Sequence, residues 1–152
     1  EMGPKVIEFN CRFGDPETQV VLPLLESDLA EIFLSIVEEE LDLQDVKWKE
    51  GSAVCVVLAS GGYPDRYEKG KEIFGLNRVG NSNVLVFHAG TKKAGNRVVT
   101  NGGRVLGITA FDQTMEGALG KAYSAVDKIR FDGTQYRHDI GYRATNVRRE
   151  YF

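Results

Sequence analysis

Three polar side chains recur at every second position near the start of the chain, and their types suit metal and phosphate chemistry. They are Glu8, Asn10 and Arg12, in the segment IEFNCRFGDPE. If residues 6–13 form a strand, side chains two positions apart project from one face, about 6.5 to 7 Å apart at the backbone. A carboxylate and an amide oxygen can then ligate one Mg²⁺ or Mn²⁺ ion, which accepts oxygen ligands. Glu8 and Asn10 are therefore candidate metal ligands, and Arg12 would face the same pocket.

The same spacing also fits an ordinary amphipathic strand whose polar face meets water, and spacing alone favours that alternative. In both cases the alternation predicts a buried face made of Ile7, Phe9, Cys11 and Phe13. If the polar row is a site, Arg12 is the candidate catalytic residue. A guanidinium beside a metal–phosphate centre can neutralise charge on a transferring phosphoryl group.

Two helices are predicted immediately after this strand. A Gly-Asp-Pro turn at residues 14–16 ends the strand. Asp15 is a possible N-cap of a helix with Pro16 in its first turn, which residues 18–25 could continue as far as an interruption at Pro23. A second helix begins after Asp28, because apolar residues recur at helical spacing over residues 29–37. Its acidic residues are interpreted as a solvated face.

Beyond a polar connector the sequence changes to short β-branched runs separated by glycines, which places a domain boundary near residue 50. Strands are predicted for residues 53–59, 83–88 and 97–109, the last split by Asn101-Gly102-Gly103, which predicts a hairpin turn. The clearest helix is predicted for residues 111–129, with Asp112 or Thr114 as its cap and the sheet as its partner.

Composition narrows the class of protein. The chain has 152 residues with a net charge of -3, and its Lys and Arg residues form no block, so nucleic acid is not an expected partner. No apolar run approaches the length of a membrane span, and no membrane partner is expected. The two cysteines, Cys11 and Cys55, are predicted to be buried free thiols, which suits a reducing compartment and a cytoplasmic location.

Several motifs, taken in order along the chain, resemble one enzyme family. They are IEFNCRFGDPETQ, ASGGYP, FHAGTK, VTNGGRV, and YR followed by DIG. In this order they resemble the phosphoribosylamine–glycine ligases of the ATP-grasp superfamily, and the resemblance covers essentially the whole chain. E-x-N alone is a weak motif, whereas the longer string is far more specific.

The resemblance implies an ATP-dependent C–N ligase of purine biosynthesis. Such an enzyme phosphorylates glycine to glycyl phosphate, which the amine of 5-phosphoribosylamine then attacks. The chain would be the C-terminal third, α+β in class, with residues 1–50 ending an ATP-grasp domain (a strand plus two helices). Residues 51–152 would form a small antiparallel, barrel-like domain with a flanking helix. Its partners would be the N-terminal part of the enzyme and the small substrates, and the chain alone would be inactive.

The resemblance also implies roles for individual residues. Arg12 would lie near glycyl phosphate, and the Gly14-Asp15 turn near the substrate amine. The glycines of Asn101-Gly102-Gly103 would permit φ above zero and a close backbone approach, so that Arg104 could reach the ribose 5-phosphate at Gly103, and Lys92 could join that anion site. A plain hairpin turn remains the alternative for this stretch.

Two functions of other classes stay open at the level of the sequence. One is a stand-alone domain that binds ribose phosphate or another anion without magnesium or ATP. The other is a structural, oligomerising domain in which the polar row has no function.

Overall fold

The computed structural model of the chain describes residues 3, 5–7, 9, 11–43, 45–80 and 83–146. Among the helices of these ranges, none has the length and hydropathy to cross a lipid bilayer. The α-helices are α1 (Thr18–Val21), α2 (Leu29–Val37), α3 (Met115–Val126) and α4 (Tyr142–Asn146). The strands are β1 (Ser52–Ala59), β2 (Val84–His88), β3 (Thr91–Ala94), β4 (Arg97–Thr100) and β5 (Arg104–Asp112), and short 3₁₀ turns lie at Leu22–Leu24, Leu41–Leu43 and Leu76–Arg78.

The main sheet is antiparallel, with strand order β1-β5-β2, so β5 is its central strand. The register sets Val56 opposite Ile108 and Leu58 opposite Leu106. A second, two-stranded antiparallel sheet joins β3 to β4. Fold class is therefore mixed helix and antiparallel sheet, as expected from the sequence.

One face of the main sheet is covered by α3, and the hydrophobic core lies between them. Leu58, Leu106 and Ile108 are fully buried there, and burying such a side chain stabilises the fold by about 1.5 to 3 kcal/mol. The helix contributes small residues, Ala118 and Ala122, to this contact. It begins at Thr114, whose hydroxyl accepts a hydrogen bond from Gly117 N at 3.1 Å, so Thr114 is its cap as predicted.

The opposite face of β5 is covered by α1. Thr109 is fully buried and donates its hydroxyl hydrogen to the Gln19 carbonyl oxygen at 2.9 Å. At Gly107 a Cβ would lie 3.2 Å from Cys55 Sγ and 3.9 Å from Gln19 Cγ, so the helix and both strands meet closely there. These contacts fix where the segment before β1 lies on the sheet.

Several elements lie where the sequence predicts them. The strands at residues 53–59 and 83–88 are confirmed within a residue. The second helix is also confirmed, since the Asp28 carboxylate accepts from Ala30 N at 2.7 Å and starts α2. The domain boundary near residue 50 stays a prediction.

Two predictions in the second half of the chain are wrong. Residues 101–103 do not join a hairpin, because β4 pairs with β3 whereas β5 pairs with β1 and β2. The hairpin is formed instead around Gly95-Asn96, and β3 was missed because its sequence TKKA lacks a β-branched run. Phe111 and Asp112 end β5 rather than starting α3, since their backbone pairs with β1.

The strand predicted for residues 6–13 is not observed in the part of this segment that the structure describes. Ile7 is 97% exposed and Phe9 83%, and Cys11 is also exposed, so the predicted buried face is wrong. Phe13 is half-buried and meets Phe33 of α2 at 6.4 Å between ring centroids. No described strand lies beside this segment, so its apolar side chains have no sheet to pack against.

Candidate functional site

Two predicted site residues, distant in sequence, meet in the structure. Arg104 Nη2 lies 2.9 Å from Asp15 Oδ2, and its Nη1 donates to the Asp15 carbonyl oxygen at 3.1 Å. Both side chains are partly exposed and border a cavity of about 300 Å³. Its wall is completed mainly by Gln19, Tyr63, Ala89 and Gly107. We call the Asp15–Arg104 ion pair the clasp, because it joins the turn before α1 to β5.

The turn before α1 holds Asp15 in place. Thr18 donates both its backbone N–H, at 3.0 Å, and its hydroxyl hydrogen to the Gly14 carbonyl oxygen. Gln19 Nε2 donates to Asp15 Oδ1 at 3.1 Å. The N-cap position belongs to Glu17, so the prediction that Asp15 caps this helix is wrong. Its carboxylate is taken by Gln19 and Arg104 instead.

The backbone before β5 holds Arg104 in place. A Cβ at Gly103 would lie 2.1 Å from the Tyr63 ring, and one at Gly102 would lie 2.9 Å from Gly90 Cα. Ser60 donates from its backbone N–H to Gly103 O and from its hydroxyl to Gly102 O, both at 2.8 Å. The glycines are therefore needed for close approach, and neither has a positive φ.

Arg12 and Lys92 are not brought to the clasp. Arg12 is exposed and donates to its neighbour's carbonyl, Phe13 O, at 3.1 Å. Lys92 is exposed on β3, and its ammonium group makes no hydrogen bond or ion pair among the described residues. The hydroxyl of Thr91 bonds His88 Nδ1 at 3.0 Å.

A second cavity, of about 380 Å³, lies on the other side of Arg104 and Tyr63 and is bordered by Tyr136 and Arg137. Arg137 donates two hydrogen bonds to Asp139, at 2.8 and 2.5 Å, which makes a local ion pair in the tail. The guanidinium lowers the pKa of the Asp139 carboxyl. A larger cavity of about 610 Å³ lies elsewhere and borders none of the predicted site residues.

The predicted metal ligands, Glu8 and Asn10, lie outside the described residues. Within the described ranges, no three His, Cys, Asp or Glu side chains lie close enough together to hold a metal ion. The prediction of Mg²⁺ or Mn²⁺ therefore rests on the sequence alone.

Cys55 lies behind the clasp cavity and is predicted to react slowly with thiol reagents. Burial raises the pKa of its thiol, a side-chain hydrogen bond between Thr109 and Cys55 partly offsets this, and the negative charge of Asp15 raises the pKa further. Only the thiolate reacts, so in the folded chain Cys11, which is exposed, should be alkylated at least about tenfold faster. Mass spectrometry of timed samples near pH 8 measures both rates. Equal rates in the folded chain, with a urea-unfolded sample as control, would contradict this.

Sequence reasoning misses Gln19, and for Tyr63 it leaves an aromatic wall and a packing role equally open. Gln19 lies four residues after Asp15 at the start of a helix, a spacing at which side chains meet, so DPETQ contained the signal. Tyr63 offered no comparable signal, because its partner Gly103 is distant in sequence.

The chain matches known proteins over most of its length. Residues 53–143 match the family model described as "Phosphoribosylglycinamide synthetase, C domain". The chain is 52% identical over 141 residues to a phosphoribosylamine–glycine ligase of Synechocystis, covering 92% of this chain and 34% of that protein. It is 53% identical over 143 residues to the chicken trifunctional purine biosynthetic protein adenosine-3, covering 93% and 14%.

A solved structure agrees with these matches. The crystal structure of a phosphoribosylamine–glycine ligase from Thermotoga maritima superposes with a TM-score of 0.68 at 41% identity, covering 90% of this chain and 33% of that one. The chain thus spans about a third of the length of the single-function ligases that it matches.

Proposed function

Because the chain belongs to the phosphoribosylglycinamide synthetase family, we propose that it acts as the C-terminal part of an ATP-dependent ligase. The ligase joins glycine to 5-phosphoribosylamine. The glycine carboxylate takes the γ-phosphoryl group of ATP, releasing ADP, and the amine of 5-phosphoribosylamine then displaces phosphate from glycyl phosphate. The products are glycinamide ribonucleotide, ADP and phosphate.

In this proposal Arg104 binds the 5-phosphate of 5-phosphoribosylamine in the clasp cavity. The supporting observation is that Arg104 borders an open cavity and that its contacts with Asp15 occupy only some of the N–H donors of the Arg104 guanidinium. A guanidinium carries five N–H donors, and phosphate oxygens accept such charge-assisted hydrogen bonds well. Gly103 contributes by letting the backbone approach Tyr63 closely, which orients the start of β5.

The other proposed roles rest on the motif. Arg12 would neutralise charge near glycyl phosphate, and Gly14 and Asp15 would lie near the amine. Lys92 would add a second cation to the anion site, Glu8 and Asn10 would be the ligands of Mg²⁺ or Mn²⁺, and ATP would be the co-substrate.

The stand-alone binding domain and the purely structural domain are less well supported. The relatives that this chain matches over 92% of its length carry the name phosphoribosylamine–glycine ligase. A domain that only bound an anion would need to resemble a ligase in the residues of its pocket alone, whereas this chain matches over nearly its whole length.

The test is a chimera in which this chain replaces the matching C-terminal third of the Synechocystis ligase. We expect ADP release that requires both glycine and 5-phosphoribosylamine, within about tenfold of the parent enzyme, because over half of the exchanged positions are identical. The assay couples ADP formation to NADH oxidation and identifies the product by mass spectrometry.

The unaltered Synechocystis ligase serves as the positive control. The same enzyme lacking its C-terminal third should release no ADP in response to the two substrates. A chimera that folds, as judged by circular dichroism, and yet has no activity would overturn the proposed function.

A further inference from the structure

Gln19 contacts both strand β5 and the clasp, through its backbone and its side chain respectively. Its carbonyl oxygen accepts the buried hydroxyl of Thr109 at 2.9 Å, and its Nε2 donates to Asp15 Oδ1 at 3.1 Å. Asp15 binds Arg104 through its other carboxylate oxygen. A chain of polar contacts therefore runs from Thr109 of β5 through Gln19 and Asp15 and returns to the same strand at Arg104.

The orientation of the Gln19 amide is dictated by Asp15. Its Oε1 is buried and, among the described residues, has no hydrogen-bond partner, which is unfavourable for a polar atom. Turning the amide over would set that oxygen against the Asp15 carboxylate, where two acceptors would face each other. The bond to Asp15 thus outweighs the cost of an unpaired oxygen, which indicates that holding this carboxylate is the task of the side chain.

Holding the carboxylate controls how much of the Arg104 guanidinium is free. With Oδ1 engaged by Gln19, the Asp15 carboxylate meets Arg104 through Oδ2 alone, at 2.9 Å, and the only other contact of Asp15 with the guanidinium in the described chain is its carbonyl oxygen on Nη1 at 3.1 Å. A released Asp15 carboxylate could turn to form a bidentate pair, which is the geometry that a guanidinium favours. That pair would occupy N–H groups that a phosphate monoester needs.

We propose that Gln19 is a positioning residue for phosphate binding, which keeps Asp15 from occupying the donor groups of Arg104. The inference rests on the proposed function, because the phosphate is that of 5-phosphoribosylamine. Gln19 acts through Asp15 and does not itself touch the substrate.

The first test is kinetic and uses the chimera. Gln19→Met keeps the side-chain length but removes the N–H donor, so we expect KM for 5-phosphoribosylamine to rise about three- to tenfold, the value of one hydrogen bond. KM for glycine, KM for ATP and kcat should stay within about twofold. Gln113→Met is the matched control, because Gln113 is exposed and does not border the clasp cavity, and it should change none of these constants.

The second test uses this chain alone and needs no activity. No hydrogen bond joins Gln19 to Arg104 directly among the described residues, so coupling between them must pass through Asp15. In a cycle of Gln19→Met, Arg104→Met and the double variant, we expect the unfolding equilibrium constants in urea to depart from additivity by at least about twofold.

The outcomes separate two kinds of failure. Additive variants, or coupled variants with an unchanged KM for 5-phosphoribosylamine, would overturn the role of Gln19. An unsubstituted chimera without activity would count against the proposed function, and the cycle would still decide whether Gln19 holds Arg104.

Discussion

Replacing Arg104 by glutamine is expected to raise KM for 5-phosphoribosylamine about 10- to 100-fold in the chimera, since hydrogen bonds to a charged group contribute about 1.5 to 3 kcal/mol. The change removes the guanidinium that borders the clasp cavity and leaves a shorter, uncharged polar side chain. KM for glycine should change by less than about threefold, because the phosphate belongs to the other substrate. Steady-state rates of ADP release at varied concentrations of each substrate measure both constants.

Arg97 provides the matched control for this variant. It also carries a single ion pair, to Glu72 at 3.3 Å, but it is exposed on β4 and borders no part of the clasp cavity. Arg97→Gln should leave every kinetic constant unchanged. If both variants raised KM alike, or if Arg104→Gln left it unaltered, Arg104 would not be the phosphate ligand.

Gly75→Ala is expected to destabilise the chain by at least about 3 kcal/mol, the largest loss in stability that we predict for one methyl group. Gly75 has a φ of +87°, which alone disfavours alanine, and a Cβ there would lie 1.8 Å from the Lys128 carbonyl oxygen. The two backbones cannot separate easily, because Phe74 and Arg130 exchange backbone hydrogen bonds at 2.9 and 3.1 Å. Urea unfolding followed by tryptophan fluorescence or circular dichroism gives the free energy.

Gly70→Ala separates the two causes. Gly70 has a similar φ of +83°, but a Cβ there would meet nothing within 4 Å, so only backbone strain remains and the loss should be about 1 to 2 kcal/mol. The difference between the two variants measures the steric overlap at Lys128. Equal losses for both would mean that the loop at Gly75 relaxes and that the close approach is not enforced.

The fold could be predicted from sequence where apolar pattern and local signals agree. The run at β1 is β-branched and bounded by glycine, and α2 begins at an aspartate that caps it, so both were found. The hairpin of β3 and β4 is missed because β3 reads TKKA, with two lysines and no β-branched run, whereas β4 lies within a predicted strand. Its Gly95-Asn96 loop, with φ of +62° at Gly95, was nevertheless a two-residue turn signal.

The candidate site was predicted residue by residue but not as an arrangement. Asp15 and Arg104 are both candidates in the sequence, but they are 89 positions apart, so the sequence does not show that they lie close together in space. Their proximity results from the packing of α1 on β5. Lys92 is placed on the small second sheet, whose pairing the sequence did not reveal. At Gly102 and Gly103 the predicted close backbone approach is confirmed, whereas the predicted positive φ is wrong.

The central position of β5 has a consequence for how this protein can change over evolutionary time. Successive residues of a strand point to opposite faces, and in the middle of β5 one face packs on the core beneath α3 while the other packs on α1. Ile108 faces α3, whereas Gly107 and Thr109 face α1 and Gln19. A substitution at Ile108 should therefore act mainly on the core, whereas one at Gly107 or Thr109 should act mainly on the packing of α1, so the placement of the clasp and the stability of the core depend on different neighbours within one strand.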